Sequence, residues 1–250
     1  MLLELRDIRF GYRNEEPLLQ GFDLAVEQGE FVALLGPSGC GKSTLLNLSA
    51  GLLEPLAGEM EFGGKPLHGL NREVGYMTQG DTLLPWMSVA KNITLPLELR
   101  NYPRAERKDK LERALSLVNL GDARDKFPSE LSGGMKRRAL LARSIIYDPP
   151  MLLMDEPFGA LDAQLREAMH QELLDTVART GESVLFVTHD ISESVLLSDR
   201  VLLLGGFPLE VVEEVHIPYG KDRNLNEIRE STHYGDLERR LRDRLRSAIT

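Results

Sequence analysis

The chain has 250 residues, 42% hydrophobic and 28% charged, with a net charge of −9. That balance excludes a disordered chain and suits one globular unit with a sub-lobe, and its acidity argues against non-specific nucleic-acid binding. No apolar run reaches the roughly 18 residues of a membrane span, the single cysteine, Cys40, excludes an internal disulfide and permits a reducing cytosol, and no Cys/His cluster suggests zinc.

The N-terminus, residues 1–6, lacks the basic start and long apolar region of a signal peptide. Residues 2–5 and 8–10 are strand-like, 22–26 alternate apolar and polar as a half-buried strand does, and 58–64 suggest a strand and turn. Together they predict a small, mainly antiparallel sheet. The apolar run at 31–35 predicts a buried strand. It leads into Gly36, Pro37, Ser38, Gly39, Cys40, Gly41, Lys42, Ser43 and Thr44, which fit the pattern G-x-x-x-x-G-K-[ST]. A helical pattern begins at Thr44. A strand, a glycine-rich turn and a helix N-terminus aim several N–H groups at one point, which suits a polyphosphate. Lys42 supplies a charge for β- and γ-phosphates, and the Ser43 hydroxyl is a ligand for Mg²⁺. The motif points to a nucleoside triphosphate without saying which protein uses it.

Residues 85–130 change character. Leu111, Leu115 and Val118 recur at helical spacing within 104–119, and Pro85, Pro96, Pro103 and Pro128 punctuate the region. A helical lobe over about 85–145, inserted into an α/β core, accounts for this. Three further apolar runs, 151–154, 183–187 and 201–204, predict strands, and 163–179 predicts a helix ended by Gly181. The first run lacks alternation, as a parallel strand covered on both faces should. The expected fold is therefore α/β: a P-loop NTPase core with a mostly parallel sheet, an antiparallel β subdomain and an inserted helical subdomain. Asp155 and Glu156 end the 151–154 strand. The first acid suits Mg²⁺ held through water, and the second suits an attacking water. Between the two nucleotide motifs, 131–135 read Leu-Ser-Gly-Gly-Met ahead of a predicted helix to 147. Ser132 is a good helix N-cap, and two glycines permit close approach of backbone to ligand.

Read jointly, these motifs resemble those of the ATP-binding subunit of an ATP-binding-cassette transporter. The resemblance runs from about residue 3 to 206. Leu131 to Met135 match the family's signature motif. Tyr12 stands where the family has its adenine-stacking aromatic, and it also fits a half-buried aromatic at a strand end. Gln79 matches the Q-loop glutamine, Ala160-Leu161-Asp162 the D-loop, and His189 the switch histidine, although His189 also fits a cap on the 183–188 strand. The resemblance implies head-to-tail pairing of two cassettes, most simply as a homodimer. Each ATP then lies between one P-loop and the partner's Ser132, Gly133 and Gly134, beside Asp162. It implies Glu156 as general base, His189 at the γ-phosphate and Gln79 linking Mg²⁺ and water to a membrane permease. Ser43, Gln79 and Asp155 form the implied metal set, with ATP and Mg²⁺ as cofactors. The family often has Gln where Arg137 stands. An extra cation there either tunes ATP affinity or faces solvent, and solvent is the expectation.

Residues 79–86 resemble the Q-loop region of nitrate-, sulfonate- and taurine-type importers. Pro85 and Trp86 suit docking of a permease helix, and Trp86 also suits packing inside the helical lobe. The resemblance implies a cassette domain over 1–215, a C-terminal helical extension over 216–250, permease subunits, a separate solute-binding protein and a place on the cytoplasmic face of the membrane. No nucleic acid is expected. In the extension, Leu237, Leu241 and Leu245 form an i, i+4 stripe with Arg239, Arg240, Arg242, Arg244 and Arg246 between them. A helix docked through its leucines fits this, as does one contacting a partner or anionic lipid. Rival classes are exporter or lipid-transport cassettes and cassette ATPases acting on nucleic acid. Chromosome-type relatives insert long coiled coils, translation-type relatives carry two cassettes, and a guanine-specific GTPase needs an Asn-Lys-x-Asp motif. None of these features occurs in the sequence.

Overall fold

The computed structural model describes residues 1–12, 16–159, 161–220 and 223–247. Strands β1 (Leu3–Phe10), β2 (Leu19–Val26), β4 (Ala57–Phe62) and β5 (Lys65–Pro66) form an antiparallel sheet in the order β2-β1-β4-β5. The strand-like segments at 2–5 and 8–10 are one strand, with Asp7 at φ 51° and a register shift at that bend. Its inward residues Leu3, Leu5, Ile8 and Phe10 are all buried.

A second sheet has six strands in the order β10-β9-β3-β8-β7-β6. They are β3 (Phe31–Leu35), β6 (Val74–Met77), β7 (Met151–Asp155), β8 (Ser183–Thr188), β9 (Arg200–Gly205) and β10 (Glu210–His216). Five run parallel, and β10 pairs antiparallel with β9 at the edge. Every residue of β3, β7 and β8 is buried, the pattern of strands covered on both faces. Alternate residues serve two cores. Val32, Leu34, Met151 and Leu153 meet α1 (Lys42–Ser49) and the antiparallel sheet. Phe31, Ala33, Leu35, Leu152 and Met154 face the opposite core.

That second core is built by helices. Between β6 and β7 lie α2 (Val89–Leu99), α3 (Arg104–Leu117) and α4 (Gly133–Ile145), with Leu111, Leu115 and Val118 buried on one face as the spacing predicts. Helix α5 (Ala163–Thr180) ends at Gly181 in the left-handed conformation at φ 72°. Helices α6 (Ile191–Leu197), α7 (Leu225–Glu230) and α8 (Thr232–Ser247) complete the set. On α8, Leu237 and Leu241 are buried and Leu245 packs partly against the core. Its arginines meet this chain's own acids: Arg240 and Arg244 pair with Glu213, Arg239 with Asp236 and Arg242 with Glu238.

Strands β6 and β10 escape the sequence pattern. Strand β6 is four residues long and contains Gly75, a weak strand former. The glycine is there for space. A Cβ on it would lie 2.3 Å from the Ser144 carbonyl oxygen, so only glycine lets α4 pack this close to the sheet.

Candidate active site

Four of the parallel strands deliver chemistry to one edge of the sheet. The phosphate loop follows β3, His189 follows β8, Asp155 and Glu156 end β7, and Gln79 lies two residues beyond β6. The register aligns these ends, with Leu35 opposite Thr188, Asp155 opposite Val187, and Met77 opposite Met154. Ligands of open α/β sheets bind in the crevice beyond such carboxyl ends.

The loop itself is a cradle. Gly39 and Gly41 take left-handed φ values of 81° and 116°, and a Cβ on Gly39 would enter open space. Gly36 is closed on its other side, where a Cβ would come within 2.8 Å of the Leu204 carbonyl oxygen. The Lys42 side chain is buried under the loop. Its ammonium donates to the Gly36 carbonyl at 2.8 Å and the Pro37 carbonyl at 2.7 Å. A desolvated cation and successive N–H groups around open space fit a polyphosphate. Cys40 is half-buried, and burial pushes its thiol above the ordinary range. The cleft has a volume of about 500 Å³ and is lined by Tyr12, Leu18, Ser38, Gly39, Gly41, Lys42, Ser43, Thr44, Gln79, Glu156 and Phe207, among others.

Asp155 is buried at the strand end. Desolvation pushes its carboxyl above the usual range and the Glu156 charge adds to this, while a hydrogen bond from Ser43 and the Lys42 charge oppose it. A carboxylate short of positive charge beside a serine hydroxyl fits a hard cation completed by phosphate oxygens and water. Among the described residues no group of three or more His, Cys, Asp or Glu is placed to hold a metal ion by itself.

Glu156 is held on three sides. Its backbone N–H donates to the Val187 carbonyl at 3.0 Å, Gln79 Nε2 donates to Oε2 at 3.1 Å, and His189 Nδ1 lies 3.2 Å from Oε1. The residue takes φ 44°, a left-handed conformation that costs a non-glycine residue on the order of 1–3 kcal/mol. Strain fixed by three neighbours turns the carboxylate toward the mouth of the phosphate cleft. Tyr12 is half exposed. It packs edge-on against Phe10, with ring centres 5.1 Å apart, and its hydroxyl lies 3.0 Å from Thr44 Oγ1.

Ser132, Gly133, Gly134 and Asp162 do not line this cleft. Ser132 caps α4 by accepting from Met135 N–H at 3.3 Å, and Asp162 caps α5 by accepting from Leu165 N–H at 2.9 Å. Ser132, Gly133 and Asp162 are exposed. Ala160 of the expected D-loop lies outside the described residues.

The expectation for Arg137 is overturned. Its side chain is buried and donates to the Thr78 carbonyl at 3.3 Å and the Gln79 carbonyl at 2.5 Å. The loop after β6 passes over α4, so this cation faces backbone oxygens rather than water. Trp86 does not pack inside the helical lobe, because it is 70% exposed. Sequence patterns also missed Leu18 and Phe207 on the cleft wall, since neither belongs to a phosphate motif. A third omission is Asn92, fully buried, which bonds Leu84 N–H and the carbonyls of Leu84, Met87 and Ser88. A polar side chain at a helical core position was its available signal.

Comparison with known proteins agrees with this geometry. The family described as "ABC transporter" matches residues 19–159. The chain is 44% identical over 206 residues to the taurine import ATP-binding protein of Chromobacterium violaceum, covering 82% of this chain and 79% of that protein. It is 43% identical over 221 residues to the taurine import ATP-binding protein of Pseudomonas putida, covering 88% and 84%. Among solved structures, it is similar to the dimeric post-hydrolysis state of the ATP-binding cassette MJ0796 bound to ADP and Pi. That likeness has a TM-score of 0.77 and 30% identity, and it covers 86% of this chain and 98% of the other.

Proposed function

The chain belongs to the ABC transporter family as an ATP-binding cassette ATPase, and we propose that it powers uptake of a small solute of the taurine, sulfonate or nitrate kind. The observation that carries the chemistry is Glu156, gripped by Gln79 and His189 at the mouth of the phosphate cleft. The names of the taurine-import relatives support the solute class.

In this scheme the P-loop N–H groups and Lys42 hold the β- and γ-phosphates, and Tyr12 packs on the base. Ser43, Asp155 and Gln79 would hold Mg²⁺, which when bound neutralises phosphate charge. Glu156 orients a water and takes its proton as the oxygen attacks the γ-phosphorus, while the bond from that phosphorus to the bridging oxygen breaks and ADP leaves with the bridging oxygen's electron pair. Gln79 and His189 fix the Glu156 carboxylate, and His189, half exposed, also faces the γ-phosphate. Ser132, Gly133 and Gly134 serve the partner cassette's ATP, with Asp162 beside them. The exposure of Ser132, Gly133 and Asp162, away from this chain's own cleft, supports a shared site. ATP then closes a dimer, since four phosphate charges need donors from both sides, and hydrolysis reopens it.

The exposed turn at Trp86 is the proposed contact for permease subunits, which receive the solute from a separate binding protein. No helix among the described residues is long and apolar enough to cross a membrane. We place the chain at the cytoplasmic face, held there by the permease.

Glu156→Gln tests the chemistry. It keeps shape and one hydrogen-bonding oxygen but removes the base, so ATP binding should persist while turnover drops by roughly two to four orders of magnitude. Near-normal turnover removes Glu156 from the role. Competition of unlabelled taurine, other sulfonates and nitrate for uptake into vesicles carrying the full transporter tests the solute class.

A further inference from the structure

Helix α4 begins at the signature residues and runs beneath the loop that follows β6. Three of its cations reach that loop. Lys136 Nζ lies 2.9 Å from Asp81 Oδ2. Arg143 donates to the Thr82 carbonyl at 2.8 Å and to Thr82 Oγ1 at 2.5 Å. Arg137, only 8% exposed, spans the successive carbonyls of Thr78 and Gln79. The Gln79 side chain is exposed and reaches the catalytic centre through the 3.1 Å bond to Glu156. An amide that must meet a carboxylate from an exposed loop depends on where its own backbone is held.

We propose that Arg137 is a positioning residue for ATP hydrolysis: by gripping the Thr78 and Gln79 carbonyls, it sets the Gln79 amide on Glu156. It is not among the residues that line the phosphate cleft and acts only through Gln79. The residue type suits the task. A guanidinium carries five donors in a rigid fork and can serve two carbonyls from two nitrogens, whereas a glutamine has one amide nitrogen. Carbonyls bonded to a charged donor also hold more firmly than neutral pairs do. The proposal rests on Glu156 acting as the base, and the test separates the two.

Steady-state ATP hydrolysis by the intact chain, with nucleotide affinity measured in parallel, provides that test. Arg137→Met should lower kcat about tenfold with KM for ATP within about twofold, since it removes charge-assisted bonds that orient but do not bind. Gln79→Ala should lower kcat to a similar degree. The double variant should be no slower than Gln79→Ala alone, because Arg137 has no other route to the reaction. Arg137→Lys, which keeps the charge and part of the donor set, should fall between wild type and Arg137→Met. If Arg137→Met does not fold, Arg137→Lys completes the same cycle with Gln79→Ala. Multiplying losses in the double variant overturn the proposal, as does an unchanged kcat or a rise in KM alone. Glu156→Gln run beside these distinguishes the causes. If it turns over normally, the base assignment fails. If it is inactive while the Arg137 and Gln79 losses multiply, only the Arg137 proposal fails.

Discussion

Replacing Trp86 with alanine separates folding from coupling. The indole sits on a turn closed by Met87 N–H donating to the Leu84 carbonyl at 3.0 Å and pinned from below by Asn92. With 70% of the residue exposed, about 30% is covered by this chain. A buried aromatic side chain covers up to ~250 Å², so the fold keeps roughly 75 Å² of it, worth at most ~2 kcal/mol at ~25 cal/mol per Å². The remaining ~175 Å² could contribute ~4 kcal/mol if a permease covers it. A rigid turn loses little freedom on docking, which favours an anchor of this kind. Trp86→Ala should therefore leave ATP hydrolysis by the isolated chain intact and lower its melting temperature only slightly. Permease-stimulated hydrolysis and solute uptake should fall together, with docking weakened by ~2 kcal/mol or more, about thirtyfold. Reconstituted vesicles and a thermal melt provide the readouts. Normal uptake and stimulation alongside a large loss of thermal stability would refute the assignment and make Trp86 a packing residue.

Ser132→Arg should abolish ATP-dependent dimerisation of a Glu156→Gln background in light scattering while sparing nucleotide binding by the monomer; an undiminished dimer excludes the shared site. Glu182, 4% exposed, is pushed up to about 8 by burial, with the Asp148 charge adding to it. Its folded pKa exceeds the unfolded one, so its contribution is full below about pH 4.5 and is lost as pH rises to about 8, on the order of 4 kcal/mol across that window. Glu182→Gln should flatten that fall in urea melts between pH 5 and 8, and an unchanged pH slope assigns it to other groups. Gly75→Ala should destabilise the chain by roughly 2 kcal/mol or more, because the new methyl meets a backbone oxygen on α4; an unshifted urea midpoint would show that α4 can retreat from β6.

The sequence by itself determined the parts whose signals are local. Phosphate binding needs glycines at fixed short spacing, a lysine and a helix start, so residues 36–44 declare themselves without a fold. Buried parallel strands need unbroken apolar runs, and β3, β7, β8 and β9 were legible for that reason. The leucine spacing of α3 and α8 likewise marked the faces that became buried. What only the tertiary structure decided is adjacency. Strand β8 inserts between β3 and β7, and nothing in the chain order 36, 79, 156, 189 states that His189 and Gln79 meet on opposite oxygens of Glu156. Strand β6 stayed hidden because its glycine answers to α4, a helix that begins 56 residues beyond its last residue. Arg137 was misplaced for the same reason. Helical periodicity gives a side chain's direction from its own axis, but whether water or a neighbouring loop lies in that direction is set by packing between segments distant in sequence.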